Sequence, residues 1–148
     1  MDWVRSLLKP TNSISKIDHD IMTPLHHAVL YDSIDAMLDL INKGANVNAC
    51  DRSKHTPLHK VAFLLNDDEI YDKARILLDN DANINAQTIT GTTLLHWAVV
   101  DLPTDVVSLL LDRGADRTIT DMWGYTPLDM ATLYGKDEVI RLLTDDQN

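Results

Sequence analysis

Thr23-Pro24-Leu25-His26 is the stretch of sequence that decides the fold, because the chain repeats it three more times. It returns as Thr56-Pro57-Leu58-His59, as Thr93-Leu94-Leu95-His96 and, with a changed last residue, as Thr126-Pro127-Leu128-Asp129. The copies begin 33, 37 and 33 residues apart. A period of this length is typical of small helical units stacked on one another. Such stacks usually present an extended binding surface, and the repeat therefore favours a binding protein over an enzyme.

Each copy lies within a pattern of turn, helix, helix and break. A turn precedes the phrase, and the first helices are expected over residues 59–65, 96–100 and 129–134. The Thr hydroxyl can cap such a helix, and Pro suits the first helical position because its missing N–H would have no partner there. The second helices are expected to end at paired aliphatic residues, which occupy positions 40–41, 77–78, 110–111 and 142–143.

Gly44 and Gly114 mark the ends of two of these second helices, since glycine readily adopts the left-handed conformation that ends a helix. Asp81 stands in the matching place of the second repeat. A residue with a Cβ adopts that conformation less readily than glycine, so we expect local backbone strain at Asp81.

The Thr-Pro-Leu-His phrases, their spacing and the breaks that follow closely resemble the ankyrin-repeat family. The resemblance implies an all-α solenoid in which each unit is a β-turn finger followed by an antiparallel helix pair. It covers residues 1–143 and implies a single ankyrin-repeat domain over residues 1–148. We expect an N-terminal half-repeat cap at 1–17, repeats at 18–50, 51–87, 88–120 and 121–143, and an acidic tail at 144–148.

The second repeat is four residues longer than its neighbours, and the excess falls within residues 63–72. Either an extended first helix or a longer connection with an acidic tip would accommodate the excess. Insertions within repeats usually lie in loops on one face, where they can serve binding. A surface insertion without a function would also cost little, because loop entropy grows slowly with length.

Composition and charge argue against several classes of function. The 148 residues carry a net charge of −10 and no cluster of Lys or Arg, which disfavours nucleic acid and anionic membranes as partners and favours a basic or amphipathic protein segment. No apolar run approaches the ~20 residues of a membrane span, and the N-terminus lacks the pattern of a signal peptide. Cys50 is the single cysteine, so we expect a reducing location: cytoplasmic, nuclear, or the cytoplasm of a host cell.

No catalytic or phosphate-binding motif occurs in the sequence, and neither an enzymatic activity nor a cofactor is expected. Cys50, His55 and His59 have a spacing that suggests part of a zinc site, but a structural zinc ion takes four converging ligands. His26, His59 and His96 share one position of the repeat, and the family resemblance implies a structural role for them. We therefore expect no metal site.

The family resemblance also implies a concave surface built from the finger tips and the outer face of each first helix. Apolar and aromatic side chains occupy most of these places, and such side chains are enriched at binding sites. We expect the densest patch around Trp123, Tyr125, Leu133, Tyr134 and Val100. The full set of predicted partner-binding residues is Leu30, Tyr31, Phe63, Leu64, Ile89, Val100, Met122, Trp123, Tyr125, Leu133 and Tyr134.

An alternative applies to Leu30, Phe63, Val100 and Leu133, which would instead tilt inward and pad the contact between helices. For Trp123 and Tyr125, at a finger tip, the sequence favours a role in binding.

The sequence thus predicts a protein-binding module that acts as an adaptor, inhibitor or effector. Short proteins of this kind are similar to signalling inhibitors and to viral or bacterial ankyrin proteins that interact with a host. The alternative is a structural, self-associating protein, in which a homodimer forms through the groove or through the apolar end at Leu142 and Leu143.

Overall fold

Helices make up the regular structure of the protein, as the all-α expectation requires. The computed structural model describes residues 22–64 and 68–145. The half-repeat cap expected at 1–17 lies outside these residues. Within them there is no strand, and the helices are α1 (Pro24–Tyr31), α2 (Ile34–Asn42), α3 (Pro57–Lys60), α4 (Ile70–Asp79), α5 (Leu94–Asp101), α6 (Thr104–Asp112), α7 (Pro127–Leu133) and α8 (Asp137–Asp145), with a 3₁₀ turn at Val61–Phe63.

The chain forms two compact units, one up to Asn83 and one from Ile84 onward. In the first unit, α1 packs against α2 and α3, and α3 packs against α4. In the second unit, α5 packs against α6 and α7, and α8 packs against both α6 and α7. Within the described residues, each unit is therefore a stack of two helix pairs, whose buried side chains are mainly Leu, Val and Ala.

The expected threonine caps are confirmed at all four copies of the phrase. The hydroxyls of Thr23, Thr56, Thr93 and Thr126 each accept a hydrogen bond from the backbone N–H three residues on. The side chain at that third position reaches back to the threonine N–H, which completes a reciprocal capping box. Both interactions are local, so the phrase itself starts each first helix.

A buried histidine joins each of two first helices to the finger that follows it within the same unit. His26 Nε2 lies 2.7 Å from the carbonyl oxygen of His55, and His96 Nε2 lies 2.9 Å from that of Tyr125. In both rings Nδ1 accepts the hydrogen bond of the capping box, at 3.1 Å from the threonine nitrogen. Nδ1 must therefore be unprotonated and Nε2 must carry the proton, which is the neutral form of the ring.

Burial lowers the pKa of His26 from 6.5 to about 4, although the hydrogen bond to the His55 carbonyl opposes the shift. The ring is fully buried, and a charge placed there would lose its hydration. Protonation of Nδ1 would also break the hydrogen bond with the Thr23 nitrogen.

The longer second repeat is accommodated by its connection and not by its first helix. Helix α3 ends at Lys60, a 3₁₀ turn follows to Phe63, and α4 begins only at Ile70. The expectation of an extended first helix, and of a helix to residue 65, is therefore wrong. The excess lies in the connection 64–69, of which 65–67 fall outside the described residues.

Lys73 in α4 connects the altered second repeat to α1 through hydrogen bonds. The residue is only 2 % exposed, and its ammonium group donates hydrogen bonds to the carbonyl oxygens of Val29 at 2.9 Å and Asp32 at 3.0 Å. These carbonyls lie at the C-terminal end of α1, where a positive charge is favoured by the helix dipole.

The strain expected at Asp81 is confirmed, because its φ is 70°. Gly44 and Gly114, at the matching helix ends, have φ values of 95° and 85°. The backbone of Asp81 is further held by Asn48, whose side-chain amide donates to the Asp81 carbonyl at 3.1 Å.

We expect the substitution Asp81→Gly to raise the free energy of unfolding by about 1 kcal/mol, because glycine adopts a positive φ without a steric penalty. The bond from Asn48 goes to the backbone and is retained. Urea unfolding followed by circular dichroism measures the change. The reciprocal substitution Gly114→Asp should lower the free energy of unfolding, and equal stability of all three proteins would contradict this account.

We expect the free energy of unfolding to fall as the pH falls from about 6.5 to about 4, because the pKa of His26 is lower in the folded protein than in the unfolded chain. In this window the unfolded chain binds a proton that the folded ring does not, so the free energy of unfolding falls, by up to roughly 3 kcal/mol from this group. An NMR titration of the His26 ring should give a midpoint near pH 4. A midpoint near 6.5 would contradict the prediction.

Candidate protein-binding surface

Most of the predicted surface side chains are exposed in the structure. Trp123 and Leu133 are both 65 % exposed, and exposure is also high at Tyr31, Phe63, Ile89, Met122, Tyr125 and Tyr134. Leu30 and Val100 are half-buried. The alternative in which side chains tilt inward is therefore wrong for Phe63 and Leu133, and it describes Leu30 and Val100 in part. The binding role of these residues stays a prediction.

The placement of Leu64 on the surface is wrong, because this residue is only 6 % exposed. The equivalent place in the fourth repeat, Tyr134, is exposed and ends a regular helix. In the second repeat the helix has already given way to a 3₁₀ turn, and Leu64 has left the helical conformation with φ −87° and ψ 76°. Its side chain consequently turns into the core.

Six aromatic and apolar side chains of the second unit surround one pocket of about 250 Å³. The finger formed by residues 121–125 contributes one side, α7 another, and α5 a third. Thr92, His96 and Asp121 also line it. We call this site the aromatic pocket; its six aromatic and apolar side chains are Trp97, Trp123, Tyr125, Met130, Leu133 and Tyr134.

Sequence reasoning missed two members of the pocket and added one residue that does not belong. Trp97 and Met130 directly follow the last position of the phrase, and the surface prediction considered only positions farther along the helix. A large side chain at this position in both repeats was the available signal. Val100 instead lines a separate pocket of about 280 Å³ together with Leu102 and Lys136.

The finger that carries Trp123 and Tyr125 is fixed by its own aspartate. Asp121 Oδ1 accepts hydrogen bonds from the backbone nitrogens of Trp123 and Tyr125, each at 3.0 Å. The Asp121 nitrogen donates to the Tyr125 carbonyl at 2.9 Å, the same oxygen that His96 Nε2 contacts. The two exposed rings therefore project from a turn whose backbone is held on both sides.

The preceding finger supports this turn through a close backbone contact. Met122 donates its N–H to the carbonyl of Thr90 at 2.8 Å. Gly91 has a φ of 76°, and a Cβ on it would lie only 3.2 Å from the Met122 nitrogen. Gly91 thus meets two requirements, a left-handed backbone and room for the next finger.

Two exposed rings of the first unit, unlike the exposed rings of the aromatic pocket, pack against another ring. The ring of Tyr31 lies 4.7 Å from that of His27, and Phe63 lies 5.9 Å from His55. Among the residues that the structure describes, Trp123, Tyr125 and Tyr134 make no ring contact of this kind. Each of these three side chains is at least 44 % exposed.

The last helix does not present the apolar end that the self-association hypothesis requires. Leu143 is 1 % exposed, and its carbonyl accepts a hydrogen bond from Arg117 Nη1 at 2.7 Å. Leu142 is half-buried. A charged residue at position 143 would therefore disturb the core of the second unit and would not report on association.

In residues 22–64 and 68–145, no three side chains of His, Cys, Asp or Glu converge as metal ligands would. None of the helices in these ranges has the length and apolar character needed to cross a membrane.

Comparisons with known proteins agree with the geometry. The profile of ankyrin repeats matches three overlapping stretches, residues 1–88, 25–121 and 66–148. The chain is 33 % identical over 136 residues to an ankyrin repeat protein of Rickettsia bellii, a match that covers 90 % of this chain and 74 % of that protein.

Two other relatives are much longer than this chain. An ankyrin repeat protein of Acanthamoeba polyphaga mimivirus is 30 % identical over 129 residues, and the mouse nuclear factor NF-kappa-B p105 subunit is 33 % identical over 149 residues. These matches cover 86 % and 84 % of this chain but only 16 % and 15 % of the two relatives. The repeated phrases, the capped helix pairs and these matches lead to one conclusion: the chain belongs to the ankyrin-repeat family.

Proposed function

We propose that this chain binds a partner protein through the aromatic pocket and the finger residues around it. Ankyrin repeats are in general protein–protein interaction modules. The observation that carries the proposal is the group of exposed rings on a rigid finger, Trp123 and Tyr125, beside the exposed Leu133 and Tyr134. Tryptophan and tyrosine dominate the energy of many interfaces because they bury large area at little entropic cost.

The charge of the chain favours a basic partner. With a net charge of −10 the surface attracts cationic segments and repels acidic ones, which speeds encounter with the former. Binding of such a segment would make the chain an adaptor, an inhibitor or an effector of the protein to which the segment belongs.

A reducing compartment is the proposed location, since the single cysteine, Cys50, is half-buried and has no second cysteine to pair with. The resemblance to ankyrin repeat proteins of Rickettsia bellii and of mimivirus supports the narrower proposal that the partner belongs to a host cell.

The double substitution Trp123→Ala and Tyr125→Ala should weaken partner binding by more than about 2 kcal/mol if the two rings form the centre of the interface. Both side chains are exposed, so the melting temperature should change little. The measurement is affinity capture from a cytosolic lysate, followed by calorimetry with the captured protein.

Tyr71→Ala provides the matched control, because this ring is exposed but lies outside the finger and pocket residues. It should retain the partner at full affinity. A partner held equally by the double variant and by the wild type would place the binding surface elsewhere and refute the proposal.

A further inference from the structure

Two fingers of the protein form the same turn around an aspartate, but they differ in whether a cation of the chain pairs with that aspartate. In the first unit, Asp51 Oδ1 accepts hydrogen bonds from the nitrogens of Ser53 and His55, each at 2.9 Å. In the second unit, Asp121 Oδ1 accepts the equivalent pair of bonds from Trp123 and Tyr125. One carboxylate oxygen is thus used by the turn in both fingers, and the other oxygen is left for a different contact.

In the first unit a lysine of the same chain takes this second oxygen. Lys60 Nζ lies 2.9 Å from Asp51 Oδ2 and 5.4 Å from the centre of the Phe63 ring. Lys60 is only 8 % exposed, so its cation is held between a carboxylate and an aromatic face with little water around it. Burial raises the pKa of Asp51, but the bond from Lys60 and the backbone bond from His55 outweigh burial and lower it overall.

The fourth repeat retains the carboxylate and lacks the cation. When the Thr-Pro-Leu phrases are aligned, Asp121 matches Asp51, and Met130 stands where Lys60 does. Within the described part of the chain, no Lys or Arg pairs with Asp121, and its Oδ2 has no hydrogen-bond donor. Asp121 is 9 % exposed and lines the aromatic pocket.

The free oxygen is not sealed inside the protein. Every fully buried polar side-chain atom of the described residues has a hydrogen-bond partner, so Asp121 Oδ2, which has none, must reach solvent. Asp121 lines the aromatic pocket together with Trp123, Tyr125 and Tyr134.

The third repeat forms the same finger turn with a threonine in place of the aspartate. Its finger begins with Thr88, whose hydroxyl accepts from the nitrogens of Thr90 and Thr92 at 3.3 Å, and Trp97 stands where Lys60 does. A neutral acceptor is therefore sufficient to form the turn. The turn at Asp121 has shorter bonds, at 3.0 Å, and its carboxylate also has a second oxygen that the Thr88 hydroxyl lacks.

We propose that the aromatic pocket receives a lysine or arginine side chain of the partner protein, whose cation pairs with Asp121 Oδ2 and lies against the surrounding rings. The partner's cation would make the contacts with a carboxylate and an aromatic ring that the Lys60 ammonium makes in the first unit. A pocket of about 250 Å³ is below the usual size of a small-molecule site and suits one side chain. This inference rests on the proposed function and adds to it the chemistry of the group that is recognised.

The test is an NMR titration of the ¹⁵N-labelled full chain with N-acetyl-arginine amide and, separately, with N-acetyl-citrulline amide. Citrulline has nearly the same shape as arginine but no charge. The arginine probe should produce saturable shifts at the backbone amides of Trp123 and Tyr125 and at the Trp123 indole. The citrulline probe should bind roughly tenfold more weakly, because it lacks the cation.

Two variants locate the effect at Asp121. Asp121→Asn keeps an oxygen that can accept the two finger bonds but removes the charge, and should bind arginine no better than citrulline. Met130→Lys supplies an internal cation where Lys60 stands in the first unit, and should block the arginine probe. The control Asp112→Asn alters net charge equally at an exposed position of α6 and should bind like the wild type.

Equal binding of arginine and citrulline, shifts that persist in Asp121→Asn, or no shifts at the finger would each overturn the inference. The proposed function would survive any of these results, since its own test is loss of the captured partner in the double alanine variant. A partner lost by that variant but retained by Asp121→Asn would refute the cation site alone.

Discussion

A hydrogen bond from an uncharged, buried histidine to the carbonyl of the next finger is the contact on which the rest of the structure depends. His26 makes it to His55 and His96 makes it to Tyr125. One ring nitrogen caps a helix and the other holds the turn that follows, so a single side chain links two consecutive repeats within each unit. Asp129, which replaces histidine in the fourth copy, is exposed, and among the described residues its side chain bonds only to the nitrogen of Thr126.

The local parts of this structure could be predicted from the sequence because their interactions span three or four residues. The threonine caps and the positive φ at Asp81 follow from residue types at fixed offsets. Leu64 was misplaced because the register of the other repeats was applied to a repeat whose first helix stops early, at Lys60.

The candidate site was only partly predictable for a related reason. Trp123 and Tyr125 stand out as large side chains at a turn, whereas Trp97 and Met130 become members of the pocket only when α5 and α7 pack side by side. The significance of Asp121 was also hidden. It depends on a comparison with Lys60, whose contact with Asp51 is visible only in three dimensions.

Gly91 affects the aromatic pocket indirectly, through the backbone of the finger that carries Trp123 and Tyr125. Its missing Cβ leaves room for the backbone of Met122, and so for the turn that carries the two rings. In a mutational scan scored by partner retention, we expect this glycine to rank with the side chains of the proposed surface, although it would act through the finger backbone and not through contact with the partner. Variation at exposed side chains of the pocket, such as Leu133 and Tyr134, can therefore change the proposed surface without disturbing the finger, whereas a residue with a Cβ at position 91 would disturb the finger itself.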